Sequence, residues 1–316
     1  MEARRRNKLT IVGAGAVGSS LAYAALIRGV ARNIVLYDVD GVKARAEALD
    51  LEHGSEFTPT ARVEGSDDPE ITRGSDVVVI TAGAKQKPGE TRMDLAASTV
   101  DLMKKVIPPM VERSPDALFL MVTNPVDVTT YAALKISGLP RNQLFGSGTV
   151  LDSARLRVLV AQHCGVAIGN VHAYICGEHG DSEIPLWSSA TIGGVPLLKW
   201  ENQTGRLGES VRDDMADRVV NAAYEVIAGK GATNYGIGVS GTRIIEAMFN
   251  DEHRVLPVSS LLEGWHGISD VCMSVPTIVD RRGVGMNLEL PLQDGELGCM
   301  HDSAQIIRST LRNLGF

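Results

Sequence analysis

The stretch from Lys8 to Gly18 constrains this chain more than any other part of it. Lys8 to Val12 reads as a short buried strand, and Gly13-Ala-Gly15-Ala-Val17-Gly18 follows at once. Val17, Leu21, Ala24, Ala25 and Arg28 then recur at helical spacing. In a strand–turn–helix of this kind each glycine has a task. Gly13 makes the tight turn, Gly15 lets an anionic group approach the backbone, and Gly18 lets the helix pack on the strand. The unfilled amides at the helix N-terminus receive the anion. A second strand, Asn33 to Tyr37, ends at Asp38, twenty residues beyond Gly18, where a carboxylate can take ribose hydroxyls. The same negative charge would repel a 2'-phosphate, so NAD is expected rather than NADP.

The α/β alternation continues. Val42 to Ser55 reads as a helix, Arg62 to Glu64 as a short strand, and Asp76 to Thr81 as a fully buried parallel strand. Ala117 to Val122 is the next strand, Val126 to Ile136 a helix, and Leu144-Phe145 the last strand. Six strands with helical crossovers predict a Rossmann doubly wound parallel sheet of order 3-2-1-4-5-6. Ligands in such sheets sit beyond the carboxyl ends of the strands. Two of those ends lead into Gly83 to Arg92, a polar loop with the makings of a lid, and into Asn124. Gly13, Gly15, Val17, Gly18, Asp38, Gly83 and Asn124 are the expected cofactor contacts. The NAD-binding domain is expected over residues 1–148 and an α+β substrate (catalytic) domain over 149–316. In the latter, Glu209 to Ile227 and Gly241 to Phe249 read as helices, and Val255 to Ser260 and Val271 to Val275 as strands. The last helix places Leu297, Met300, Ala304, Ile307, Leu311 and Leu314 on one face, a packing face.

Composition narrows the function classes. A net charge of -7 argues against a nucleic-acid backbone as partner. No apolar run approaches the length of a membrane span. The four cysteines form no CxxC pair, which suits buried thiols in a reducing cytoplasm. No cluster has metal-ligand spacing, so no metal is expected.

The chemistry is expected in Ile175-Cys-Gly-Glu-His-Gly-Asp-Ser-Glu-Ile-Pro185. His179 stands there between two glycines with carboxylates on either side. Histidine can both give and take a proton near neutral pH. Asp152 and Arg155, three apart, can share one helix face. A carboxylate beside His179 would favour its protonated form and hold one tautomer.

Taken together, Ala82 to Leu95, Thr123-Asn-Pro-Val-Asp127, Gly146 to Arg157 (GSGTVLDSARLR) and Gly177 to Pro185 closely resemble the bacterial L-lactate dehydrogenases. The likeness runs from about Lys8 to Phe316, and malate dehydrogenases share the architecture. It implies that His179 is the catalytic acid–base, that Asp152 pairs with it, and that Arg155 grips the substrate carboxylate. It implies that Arg92 comes down over the reacting carbonyl and that Gln86 faces the methyl end of pyruvate or L-lactate. Asn124 is placed beside nicotinamide and substrate, Thr233 in the pocket wall, and the Asn124–Pro125 peptide in cis. The resemblance also implies a homotetramer. It places Arg157 and His172 at a subunit interface where fructose 1,6-bisphosphate binds, and it sets the enzyme in glycolysis and fermentation. Arg157 lies two residues past Arg155, about 200° around the helix, so it points away from the catalytic residues.

Three functions stay in play at this point. The first is NAD-dependent L-lactate dehydrogenase. The second is a malate or other L-2-hydroxy acid dehydrogenase. In the malate enzymes an arginine stands at the position of Gln86, and a neutral glutamine cannot neutralise a second carboxylate. The third is a non-catalytic NAD-binding protein on the same fold, which fold alone would permit. A retired enzyme should have lost some of His179, Asp152, Arg155 or Arg92, and all four are present.

Overall fold

The computed structural model describes residues 7–84 and 92–316. In chain order the elements are β1 (Lys8–Val12), α1 (Ala16–Arg28), β2 (Asn33–Tyr37), α2 (Gly41–His53), β3 (Arg62–Ser66), β4 (Val77–Ile80), α3 (Arg92–Arg113), β5 (Leu118–Met121), α4 (Val126–Ser137) and β6 (Leu144–Gly146). There follow α5 (Val150–Cys164), β7 (Val171–His172), β8 (Ile175–Cys176), β9 (Ile184–Pro185), β10 (Thr191–Ile192), β11 (Val195–Pro196), α6 (Leu197–Thr204) and α7 (Glu209–Lys230). The chain closes with α8 (Tyr235–Phe249), β12 (Arg254–Trp265), β13 (Ile268–Asp280), β14 (Gly283–Asn287) and α9 (Asp294–Asn313). Among the described residues no helix is long and apolar enough to cross a membrane.

Two compact units emerge. The first holds residues up to Ser147, Asn234–Arg254 and Val279–Gly285. Its six parallel strands run in the order 3-2-1-4-5-6, as the sequence predicts. β4 and β5 are buried on both faces, which is why they read as unbroken apolar runs. α8 belongs to this unit, although the single cut expected after residue 148 would assign it to the other. Its docking on α1 is the reason. A Cβ on Gly238 would lie 2.9 Å from the Ser20 backbone, so glycine lets the two helices meet. Asn234 Nδ2 donates to Ser20 Oγ at 2.8 Å, and the Arg28 guanidinium donates to Glu246 at 2.9 Å.

The second unit holds Gly148–Thr233, Val255–Ile278 and Met286–Phe316. One side of α5 (Leu156, Val160 and Cys164) is buried with Ile175, Ile192, Leu197 and Val219 in its core. β12 and β13 form a hairpin through His266 and Gly267, both at positive φ, as a two-residue turn between right-twisted strands requires. β7 pairs with β10, whereas β8 pairs with β9, and Ala173-Tyr174 lies between them in neither strand. Cys164, Cys176 and Cys272 are buried thiols as expected, but Cys299 is exposed, because it falls on the outer side of α9.

Candidate active site

In the first unit the glycine turn has the shape its sequence predicts. Gly13 has φ 105°, and a Cβ there would press on Thr81 Oγ1 and the Ala82 amide, at 2.8 and 2.9 Å. A Cβ on Gly18 would collide with the Gly13 carbonyl oxygen. The space above Gly15 is open for 4 Å, and no side chain caps the N-terminus of α1. Together these leave a cradle of amides in front of a helix end, suited to a pyrophosphate. Val17 lies in the first turn of α1. Asp38 Oδ2 accepts from the Ala14 amide at 2.7 Å and Oδ1 from the Asp40 amide at 3.0 Å. Its carboxylate is thereby fixed beside the turn, where ribose hydroxyls are expected.

The carboxyl edges of β4 and β5 are tied to each other. Thr123 Oγ1 donates to the Ala82 carbonyl at 2.7 Å, and the methyl of Thr123 stands 2.9 Å from where a Gly83 Cβ would be. Asn124 follows, exposed, and its peptide with Pro125 is cis. Gln86 lies outside the described residues. Arg92 opens α3, and its side chain also lies outside them. Thr233 is half-buried in the connection between α7 and α8.

The second unit brings Asp152, Arg155 and His179 together. Asp152 sits in the first turn of α5, where the helix end favours a negative charge, and it is 1% exposed. Its Oδ2 is 2.7 Å from His179 Nδ1, and its Oδ1 accepts from the Arg155 guanidinium at 2.5 Å. Burial pushes the Asp152 carboxyl up. The charge and hydrogen bond of His179, with help from Arg155, outweigh burial and hold it below the usual carboxylate range. The carboxylate therefore stays ionised at neutral pH, faces Nδ1, and leaves Nε2 as the ring nitrogen for a substrate.

Four small hydroxyl-bearing residues with none of the assigned roles hold this arrangement. Thr149 Oγ1 donates to the Ile175 carbonyl at 2.5 Å, and Ser153 Oγ accepts from the Ile175 amide at 2.8 Å, so α5 is pinned to β8. Ser274 Oγ accepts from the Thr149 amide at 3.1 Å, and the Ser274 backbone exchanges two hydrogen bonds with Gly177, both 2.9 Å. Ser303 of α9 accepts from the Glu178 amide at 2.8 Å. A hydroxyl on an otherwise apolar face of α9 is the one signal in the sequence that could have pointed to Ser303.

Arg157 turns away from these groups, as its helical position predicts. Its Nε donates to the Ala173 carbonyl at 2.8 Å, and its guanidinium lies over the Tyr174 ring at 5.0 Å. His172, next to Ala173, is exposed on β7. Two groups of three possible ligand atoms occur among the described residues, Asp152/His179/Glu183 and Asp251/His253/Asp280. A guanidinium already sits on a carboxylate in each, Arg155 in the first and Arg281 and Arg282 in the second, and neither is read as a metal centre.

Comparison with known proteins agrees with this geometry. Residues 7–146 match the model of the lactate/malate dehydrogenase NAD-binding domain, and residues 149–314 that of the alpha/beta C-terminal domain of the same family. The chain belongs to the lactate/malate dehydrogenase family. It is 56% identical over 311 residues to an L-lactate dehydrogenase of Bifidobacterium animalis subsp. lactis, covering 98% of this chain and 97% of that one. An L-lactate dehydrogenase of Kosmotoga olearia is 46% identical, covering 97% of this chain and 96% of that one. Among solved structures, the minor L-lactate dehydrogenase of Enterococcus mundtii, in a ligand-bound form, superimposes with a TM-score of 0.94 at 41% identity over 97% of this chain and 98% of that one. The first unit thus carries the family's NAD-binding domain, and NAD is the cofactor that the cradle at Gly15 fits.

Proposed function

We propose that this chain is an NAD-dependent L-lactate dehydrogenase that interconverts pyruvate and L-lactate with His179 as its acid–base. The observation that carries the reading is the buried Asp152 carboxylate, shared between His179 Nδ1 and Arg155 in a chain of this family. The nicotinamide, when bound, supplies or accepts the hydride. In the reducing direction His179, protonated, donates to the ketone oxygen, and Asp152 stabilises the imidazolium beforehand and fixes the ring. Arg155 keeps guanidinium nitrogens beyond the one on Asp152, and these bind the substrate carboxylate in a planar, two-pronged fashion that lysine cannot copy. Arg92 supplies positive charge where the oxyanion develops. Gly13, Gly15, Val17, Gly18, Asp38, Gly83 and Asn124 hold the cofactor; Asn124, Thr233 and Gln86 line the substrate. In the cytoplasm such an enzyme closes glycolytic fermentation by regenerating NAD. The decisive experiment is NADH consumption with pyruvate against oxaloacetate. Pyruvate should be preferred by at least about a hundredfold in kcat/KM, since Gln86 leaves a second carboxylate unpaired. A preference for oxaloacetate would overturn the assignment.

We also propose that Arg157 and His172 bind fructose 1,6-bisphosphate at a two-fold axis of a homotetramer. The Ala173 carbonyl and the Tyr174 ring hold the Arg157 guanidinium beside the strand that carries His172. Two copies of each residue would present four basic groups to two phosphates. The effector then favours the tetramer, and the active site with it, by linkage. Adding the bisphosphate should lower the KM for pyruvate and shift dimers to tetramers in sedimentation. Arg157→Gln should abolish both effects. An effector that acts equally on the variant would sink this site.

A further inference from the structure

Three acids crowd the loop around His179, and the structure gives them different partners. Glu178 accepts from Ser182 Oγ at 2.5 Å, and Asp181 accepts from the Tyr224 hydroxyl of α7 at 2.8 Å. Glu183 turns inward instead. Its amide donates to the Gly180 carbonyl at 3.2 Å, which folds the loop back on itself, and β9 begins directly after it, paired to β8. Its Oε2 lies 4.0 Å from His179 Nδ1, the nitrogen that Asp152 already engages at 2.7 Å. The Glu183 side chain is 3% exposed and that of Asp152 2%.

We propose that Glu183 is a second carboxylate for His179, a positioning residue that keeps the imidazole protonated to higher pH than Asp152 would alone. The proposal rests on His179 as acid–base only for its consequence in catalysis; the charge relation stands by itself. At 4.0 Å the contact is too long for a hydrogen bond, so Glu183 acts through its charge. Asp152 and Glu183 each bring one negative charge, and Arg155, reaching the cluster through Asp152, brings one positive charge. Each carboxylate beside Nδ1 favours the imidazole that carries a second proton. With both carboxylates buried, this preference is screened less than at the surface. The loop's other acids are turned to Ser182 and Tyr224, and α9 contributes the uncharged Ser303. Hydride transfer to pyruvate consumes a proton from His179, so a more basic imidazole widens the pH range of reduction toward alkali.

The test is a titration of His179 in the ¹⁵N-histidine-labelled full-length chain, its signal assigned by its loss in His179→Asn. An opposite charge at this distance raises a pKa by about one unit or more. Glu183→Gln should therefore lower the His179 midpoint by about one unit, with Glu183→Asp recovering most of the shift. The alkaline limb of kcat/KM for pyruvate should move with it. A midpoint in Glu183→Gln equal to the parent's would overturn the proposal. Should Glu183→Gln fail to fold, the uncharged Glu183→Leu takes its place, and a midpoint there equal to the parent's, alongside an unchanged alkaline limb, would overturn the proposal in the same way. A midpoint that moves while the rate profile stays fixed would uphold the charge relation and remove His179 from the acid–base role.

Discussion

Asp152→Asn is expected to lower pyruvate reduction at neutral pH by on the order of 10²–10⁴ while leaving the fold intact. The magnitude follows from other enzymes in which the carboxylate behind a catalytic histidine is replaced by an amide. Asp152 accepts from His179 on one oxygen and from Arg155 on the other. An asparagine is the same size but neutral, and its amide can offer a donor where Nδ1–H needs an acceptor. The ring is then free to take the wrong tautomer. The sign of the pH effect is fixed by charge. Removing a negative neighbour makes His179 easier to deprotonate, and reduction needs the protonated ring, so the alkaline limb moves to lower pH in the variant. The effect should exceed that of Glu183→Gln, which leaves the Asp152–His179 hydrogen bond in place. Circular dichroism with paired pH–rate profiles checks both parts. The same alkaline limb in parent and variant would count against the pairing.

The fold was legible where its signals are local. β1 and β2 have the ends that the sequence predicts, because a buried strand running into a glycine turn leaves little choice. The sheet order follows from six strands and right-handed crossovers. What chain order hides is partnership at a distance. The membership of α8 in the first unit depends on Gly238 meeting Ser20, more than two hundred residues away. The break between β7 and β8 depends on which later strands pair with each. At the candidate site the histidine, its aspartate and the arginine were legible through spacing and family pattern. Glu178, Asp181 and Glu183 were not separable: as letters they are three equivalent acids, and only the path of the loop turns one toward Nδ1. Thr149, Ser153, Ser274 and Ser303 were silent for a related reason, since a hydroxyl that anchors a backbone looks like any other small polar residue.

Gln86→Arg is expected to move preference from pyruvate toward oxaloacetate by several powers of ten in the ratio of kcat/KM. Gln86 lies outside the described residues, so the expectation rests on the sequence pattern and on charge. The two substrates share the keto acid that Arg155 and His179 are proposed to address. They differ at the far end, a methyl group in one and a carboxylate in the other. With glutamine at this position a second carboxylate loses its hydration and gains no counter-charge. An arginine gives it a two-pronged partner, and it leaves the cation itself unpaired when pyruvate is bound. The difference between a paired and an unpaired buried charge is about 2–5 kcal/mol, which acts on both substrates in opposite senses. The loss with pyruvate should therefore accompany the gain with oxaloacetate, rather than a gain alone. Initial rates with both substrates, for the parent and the variant at one pH, decide it. A ratio that does not change would remove Gln86 from the specificity role and leave substrate choice to the shape of the pocket.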